Sequence, residues 1–256
     1  MRMRMIIIYF NMKINTIFRM RYILFITCFA LSQFFLANCE KSQDSSKIVI
    51  AGGSLTEIVY FLDYSDKIAG IDVTSNYPSD TANLPSIGYV RALSTEGILS
   101  LKPSLILGED DMGPPSVLDQ IKRTQVEITI IPEEHNVEGI LNKIECISSV
   151  IGIDSEPIIN STVIPKITKL NQLTQDSKKQ KIIYILGMQS GSPLVAGNNT
   201  SGDGLIKISG GVNPFSTFEG WKPVGTESII EASPDLIIIS ERGLKGFGTM
   251  EDLRMN

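Results

Sequence analysis

One pattern occurs twice in this chain and constrains its fold more than any other feature. Thr95-Glu96-Gly97-Ile98-Leu99, then Pro103 and Leu105-Ile106-Leu107, returns as Thr226-Glu227-Ser228-Ile229-Ile230, then Pro234 and Leu236-Ile237-Ile238. The glutamate-to-proline spacing is the same in both copies. An acid suits the positive end of a helix, a proline cannot continue one, and a short apolar run suits a buried strand. Each copy therefore reads as helix, turn, strand. Upstream, Gly88-Tyr89 is echoed by Gly220-Trp221, and Lys47-Ile48-Val49-Ile50 by Lys181-Ile182-Ile183-Tyr184. Two α/β lobes of related plan explain these echoes; chance recurrence of a common arrangement is the competing explanation.

The same repeat predicts a deficit. Counterparts of a Glu127–Ile131 strand and a Val137–Ile151 helix would begin near Asn256, so the second lobe reads as unfinished, through truncation or abbreviation. The remaining pattern agrees with an α/β plan of mainly parallel sheets. Lys47–Ala51, Ser104–Leu107, Glu127–Ile131, Lys181–Leu186 and Asp235–Ile239 read as strands. Leu55–Leu62, Thr95–Leu101, Pro115–Arg123 and Val137–Ile151 carry helical spacing. Between the lobes, Ser155 to Ser177 is polar and helix-permissive around Pro165, which predicts one long kinked helix. The expected layout is a leader over 1–39, a tether over 40–46, a first lobe over 47–153, an interlobe helix over 154–179 and an incomplete second lobe over 180–256.

The leader starts basic, with Arg2, Arg4, Lys13, Arg19 and Arg21, and turns apolar from Tyr22 to Ala37. It reads as a signal peptide or as an uncleaved membrane anchor, and either places the rest outside the cytoplasm. A start at Met12 or Met20 leaves a more usual signal length. Leu36-Ala37-Asn38-Cys39 resembles the bacterial lipobox, which implies lipidation of Cys39, although Asn38 departs from the usual small residue. With Cys39 acylated, Cys146 is expected as a lone buried thiol.

Composition closes several functional classes. A net charge of −5 without a basic stripe argues against a nucleic-acid partner. The three cysteines are too few for a disulfide framework or zinc site, and a single histidine, His135, rules out a multi-histidine metal site. The chain lacks a serine-hydrolase elbow, a P-loop lysine and a dinucleotide fingerprint. A carboxylate-based hydrolase is the enzyme alternative that absent motifs leave open.

In open α/β sheets, ligands sit in loops at the carboxyl ends of the strands. Those loops here are Gly52-Gly53-Ser54, Asp72 to Pro78, Gly88 to Arg91 and Gly108 to Pro115, faced by Met188 to Thr200 and Pro214 to Pro223. Gly52-Gly53-Ser54 offers a turn able to cradle an anion such as a propionate. His135 reads as a solvated turn residue, and Glu109-Asp110-Asp111 as a solvated loop.

From Lys47 to about Ile239 the chain resembles the haem-binding, HmuT-type substrate-binding proteins of ABC importers, within the wider cobalamin- and siderophore-binding family. The resemblance rests on Gly52 to Val59, Tyr77-Pro78, Gly88 to Pro103, Gly113-Pro114-Pro115, Gly210-Gly211-Val212-Asn213 and Gly220-Trp221-Lys222-Pro223. It implies two Rossmann-like lobes joined by a rigid helix, in a cell-envelope or periplasmic protein that carries haem b and delivers it to a permease and ATPase complex. By it, Tyr89 is the axial ligand of haem iron, a hard phenolate donor suited to the ferric state. Arg91 then stabilises the phenolate. Tyr77 and Ser54 join the binding loops, and Trp221, the repeat counterpart of Tyr89, lies across the cleft or closes its own lobe's core. Glu96 and Glu227 are implied to dock on the permease subunits. A cobalamin or ferric-siderophore binder is the runner-up within the family.

Overall fold

The structure, a computed structural model, describes residues 39–176 and 178–244. The leader and the last twelve residues lie outside the described residues, and no described helix is long and apolar enough to cross a membrane. The first lobe runs β1 (Ile48–Ala51), α1 (Gly53–Phe61), β2 (Ile68–Ile71), β3 (Gly88–Tyr89), β4 (Ala92–Leu93), α2 (Thr95–Ser100), β5 (Leu105–Glu109), α3 (Pro115–Ile121), β6 (Glu127–Ile131) and α4 (Val137–Ile151). Its main sheet has the order β2-β1-β5-β6, all parallel. Because successive side chains point to opposite faces, the sheet buries two layers. Ile48, Ile50, Leu105 and Leu107 meet Leu55, Val59, Ile147 and Val150 on one face. Val49, Ala51 and Ile106 meet Ile87, Val90, Leu93, Ile98 and Val117 on the other.

The expected interlobe helix is present. A short helical turn, α5 (Glu156–Ile158), passes through a π-helical segment at Ile159–Val163 into α6 (Ile164–Gln175). Pro165 supplies the reason: its ring displaces the preceding turn and removes a backbone donor, and the wider π turn absorbs both.

The second lobe comprises β7 (Ile182–Gln189), β8 (Ser192–Ala196), α7 (Ser201–Ile208), β9 (Trp221–Pro223), α8 (Thr226–Ala232), β10 (Leu236–Ile239) and α9 (Glu241–Leu244), with sheet order β10-β7-β8-β9. The repeat holds in three dimensions. Ile48 pairs with Leu105 as Ile182 pairs with Leu236, each in a parallel register. Lys47 O accepts Ser104 N at 2.9 Å, and Lys181 O accepts Asp235 N at 2.8 Å. Lys102 and Ser233, one residue before the matched prolines, both turn left-handed at φ 49° and 46°. The lobes then diverge. The loop expected over Met188 to Thr200 is largely an antiparallel hairpin of β7 and β8, turned by Ser190 and Gly191 at positive φ.

The two sheets differ at the repeated strand. In the first lobe β5 lies between β1 and β6, and Ile106 is fully buried. Its counterpart β10 lies at the sheet edge among the described residues, with Leu236 and Ile237 45% and 46% exposed. Among the described residues the second core is small, built on Ile183, Ile185, Val195 and Val224.

The expected tether at 40–46 is not free. Ser42 N donates to Val150 O at 2.9 Å, and Ser42 Oγ and Gln43 N donate to Glu127 Oε2 at 2.9 and 3.1 Å. Cys39 is joined to Cys146 by a disulfide with Cα atoms 5.0 Å apart, so Cys146 is not the lone thiol expected. A sequence separation of 107 residues hides such a pair from any local reading.

Candidate functional site

The strands of the first sheet are parallel, so the loops after β1, β2, β5 and β6 all gather at one carboxyl edge. The β3–β4 hairpin is fixed there from two sides. Val73 N donates to Gly88 O at 2.9 Å, Gly113 N donates to Val90 O at 2.9 Å, and Leu93 N donates to Gly113 O at 2.9 Å. Ile87, Val90 and Leu93 drive this placement by burying themselves in the core. The residues between them are turned outward: Tyr89 is 41% exposed and Arg91 is exposed. Gly88 at φ 95° opens the hairpin, a conformation that favours glycine.

Arg91, expected to stabilise the Tyr89 phenolate, is itself paired with a carboxylate. Its Nε and Nη2 both donate to Asp111 Oδ2, at 2.7 and 2.6 Å. The hydrogen bond to Asp111 raises the guanidinium above its ordinary value, partial burial opposes this, and the charges of Asp111, Tyr89 and Glu109 add to the rise. Tyr89 and Arg91 thus share one electrostatic neighbourhood, with Asp111 orienting the guanidinium. Tyr77, held in a cis bond to Pro78, is 63% exposed on the same edge.

Ser54 requires a correction. The space beside the glycine turn before α1 is already taken by the carboxyl of the protein's own Glu109. Ser54 Oγ donates to Glu109 Oε1 at 2.8 Å, and a Cβ built at Gly52 would stand 2.5 Å from the Glu109 carboxyl carbon. Ser54 Oγ also accepts from Lys143 Nζ at 3.0 Å, and Lys143 bonds Glu133 at 2.9 Å. Lys143 is only 6% exposed, so its paired carboxylate offsets the cost of burying the ammonium. Burial pushes the Glu109 carboxyl above the usual carboxylate range; the Ser54 bond and the Lys143 charge pull it down, while Glu133 and Asp111 oppose them. Nor is the Glu109-Asp110-Asp111 run a solvated loop throughout, since Glu109 and Asp111 have these partners. No group of three or more metal-type ligands occurs among the described residues.

The raised Glu109 value predicts a pH signature. A carboxyl whose folded value lies above its unfolded one adds stability at low pH and loses it as pH rises through the folded value. Glu109→Gln should therefore melt higher than the parent at pH 7, with the gap closing as pH falls through the carboxylate range. Thermal melts at several pH values check this; a lower melting temperature at pH 7 contradicts it.

Sequence reasoning missed the residue that organises this edge. Asp72, 1% exposed, accepts from Gly52 N, Thr74 N, Thr74 Oγ1 and Ser75 Oγ at 2.6–3.0 Å. Its position directly after an apolar run, ahead of Thr74 and Ser75, was the available signal.

The second lobe reaches this same edge at the loop after β6. A Cβ built at Gly204 on α7 would stand 2.7 Å from His135 Cβ and closer still to the His135 carbonyl oxygen. His135 is therefore a half-buried contact between the lobes and not a solvated turn, with Nδ1 3.8 Å from Glu133 Oε1. A polar cavity of about 480 Å³ lies here between Glu134, His135 and Asn136 of the first lobe and Asn198, Asp203 and Lys207 of the second. Gly204→Val is expected to force the lobes apart at this contact and lower the melting temperature by several degrees, about 1–3 kcal/mol. Differential scanning calorimetry checks it; an unchanged melt contradicts it.

Trp221 makes its ring contacts within the second lobe. Its ring meets Tyr184 edge-on at 5.8 Å, and a Cβ at Gly202 would stand 2.9 Å from its far edge, so the indole is engaged by its own lobe. Phe215 and Phe218 also pack into that lobe's core. Glu96 and Glu227 occupy the first turns of α2 and α8, and both are exposed. Cys39 cannot carry a thioether while its sulfur is bonded to Cys146.

Two lobes of related plan, a helix between them and loops converging at one edge define a binding protein of the bilobal α/β class. Residues 48–255 match the periplasmic binding protein family, and the chain belongs to it. Among solved structures it is similar to the apo form of the periplasmic heme-binding protein RhuT from Roseiflexus sp. RS-1, with 31% identity, 82% of each chain covered and a TM-score of 0.76. Among curated proteins it is similar to the vitamin B12-binding protein of Vibrio cholerae, 25% identical over 78% of this chain and 72% of that one. It is also 21% identical to the uncharacterized ABC transporter substrate-binding lipoprotein YvrC of Bacillus subtilis, over 78% of this chain. The chain spans 65% of YvrC's length. Nothing in these matches supports the carboxylate-hydrolase alternative, and the family is one of binding proteins.

Proposed function

We propose that this chain is the substrate-binding component of an ABC importer, and that its cargo is haem. The observation that carries the reading is the β3–β4 hairpin, which buries Val90 and Leu93 and leaves Tyr89 outward beside Arg91 at the ligand edge of the first sheet. A phenol in that position, next to a guanidinium, has the chemistry to ligate ferric iron as phenolate. The similarity to heme-binding RhuT supports haem over other tetrapyrroles. Haem b is cargo here, bound between the lobes and released to a permease with its ATPase at the inner membrane. Glu96 and Glu227, exposed at matched helix starts, are the proposed docking acids for basic residues on the permease, setting orientation and on-rate. The leader places the protein in the periplasm or cell envelope.

The similarity to a vitamin B12-binding protein makes cobalamin the second reading. Titration of the purified chain with hemin and, separately, with cyanocobalamin tests the choice. Hemin is expected to give a saturable, shifted Soret band with tyrosinate charge-transfer bands, and cyanocobalamin no heat of binding. Cobalamin binding without a hemin spectrum sinks the haem reading and leaves the binding-protein reading standing.

A further inference from the structure

We infer that the sulfur of Cys39 closes an intrachain cross-link to Cys146, so that residues 39–46 form a strap fixed to the first lobe and Cys39 is not an acylation site. This rests on the reading that the chain is exported to a compartment where disulfides persist, and not on what it binds. A cysteine sulfur has one valence to give, so a lipid thioether and a disulfide exclude each other. The geometry favours the disulfide because contacts independent of the sulfur hold the segment in place. Ser149 Oγ donates to Cys39 O at 2.7 Å, and Ser42 and Gln43 bond Val150 and Glu127 on neighbouring elements. Lys41 crosses Gly152, where a Cβ would stand 2.7 Å from the lysine Cε, so the left-handed glycine that ends α4 also makes room for the strap. The strap thus presents Cys39 to Cys146, which lies on the buried face of α4.

A cavity of about 310 Å³ lined by Cys39, Cys146, Asn142, Lys143 and Glu145 gives an oxidant access. Closure needs one external disulfide, small-molecule or protein-borne. One protein thiolate attacks it to form a mixed disulfide, and the second protein thiolate displaces the external thiol. Two electrons pass to the external disulfide, which leaves as two thiols carrying the two protons.

Two measurements decide this. In the first, the purified full chain is reduced and then exposed to glutathione disulfide. The Cys39 and Cys146 peptides should emerge as one species, lighter than their sum by two hydrogens and separated again by dithiothreitol. Two thiols that remain alkylatable overturn the proposal, whatever compartment the chain occupies. In the second, the protein is taken from the envelope of a bacterial host and mapped without reductant. The same linked pair is expected, and the Cys146→Ser chain should show a maleimide-reactive Cys39 with no lipid mass. A diacylglyceryl thioether on Cys39, with Cys146 alkylated without reductant, overturns it. Neither arm reads hemin, so failure of the haem reading would register separately.

Discussion

Tyr89→Phe is expected to abolish the tyrosinate charge-transfer bands and weaken hemin binding by about 100-fold or more, equivalent to about 2.7 kcal/mol. The substitution removes one oxygen and keeps the ring, so packing in the hairpin is undisturbed. Because the side chain is 41% exposed and the hairpin is anchored by Val90 and Leu93, folding should not register the change. That separation gives the experiment its force: circular dichroism and melting temperature stay at parental values while the Soret shift is lost. Arg91→Ala should act in the same direction with smaller effect, since the cation assists the phenolate without touching iron. An unaltered hemin spectrum in Tyr89→Phe contradicts the assignment outright.

The second large effect comes from a pair of substitutions that look alike in sequence. Ile106 and Ile237 hold the same place in the repeat and the same register against their neighbours, Val49 and Ile183. Ile106→Ala should cost about 3–4 kcal/mol, through lost apolar burial and the cavity left behind. Ile237→Ala should cost under about 1 kcal/mol, since nearly half of that side chain is already in water. Urea unfolding measures both, with far-UV circular dichroism following the whole chain. The single tryptophan, Trp221, lies in the second lobe and reports its unfolding there. Equal costs would mean that the β10 edge is covered in solution.

The exposed edge also identifies a hazard. Among the described residues β10 pairs on one side only, and with apolar neighbours such as Ile230 on α8 its free edge offers a template for intermolecular pairing.

Sequence by itself determined what depends on local pattern. Short continuous apolar runs placed β1, β5, β6 and β10 to within two residues, and the spacing of α4 gave its ends. Pro165 marked the break in the interlobe helix, and the repeat pointed to two lobes of related plan. Elements that weaken their own signal escaped. β2 carries Gly70, β8 carries Pro193, and α7 carries Gly202 and Gly204, glycines that disfavour a helix yet let it approach Trp221 and His135. Tertiary structure alone decided the partnerships: Glu109 under Gly52, Arg91 on Asp111, Trp221 against Tyr184, Cys39 with Cys146. Residue type states what a side chain can bond, and periodicity states which face it occupies. Which of several able partners it meets depends on how distant segments pack, and no local spacing encodes that.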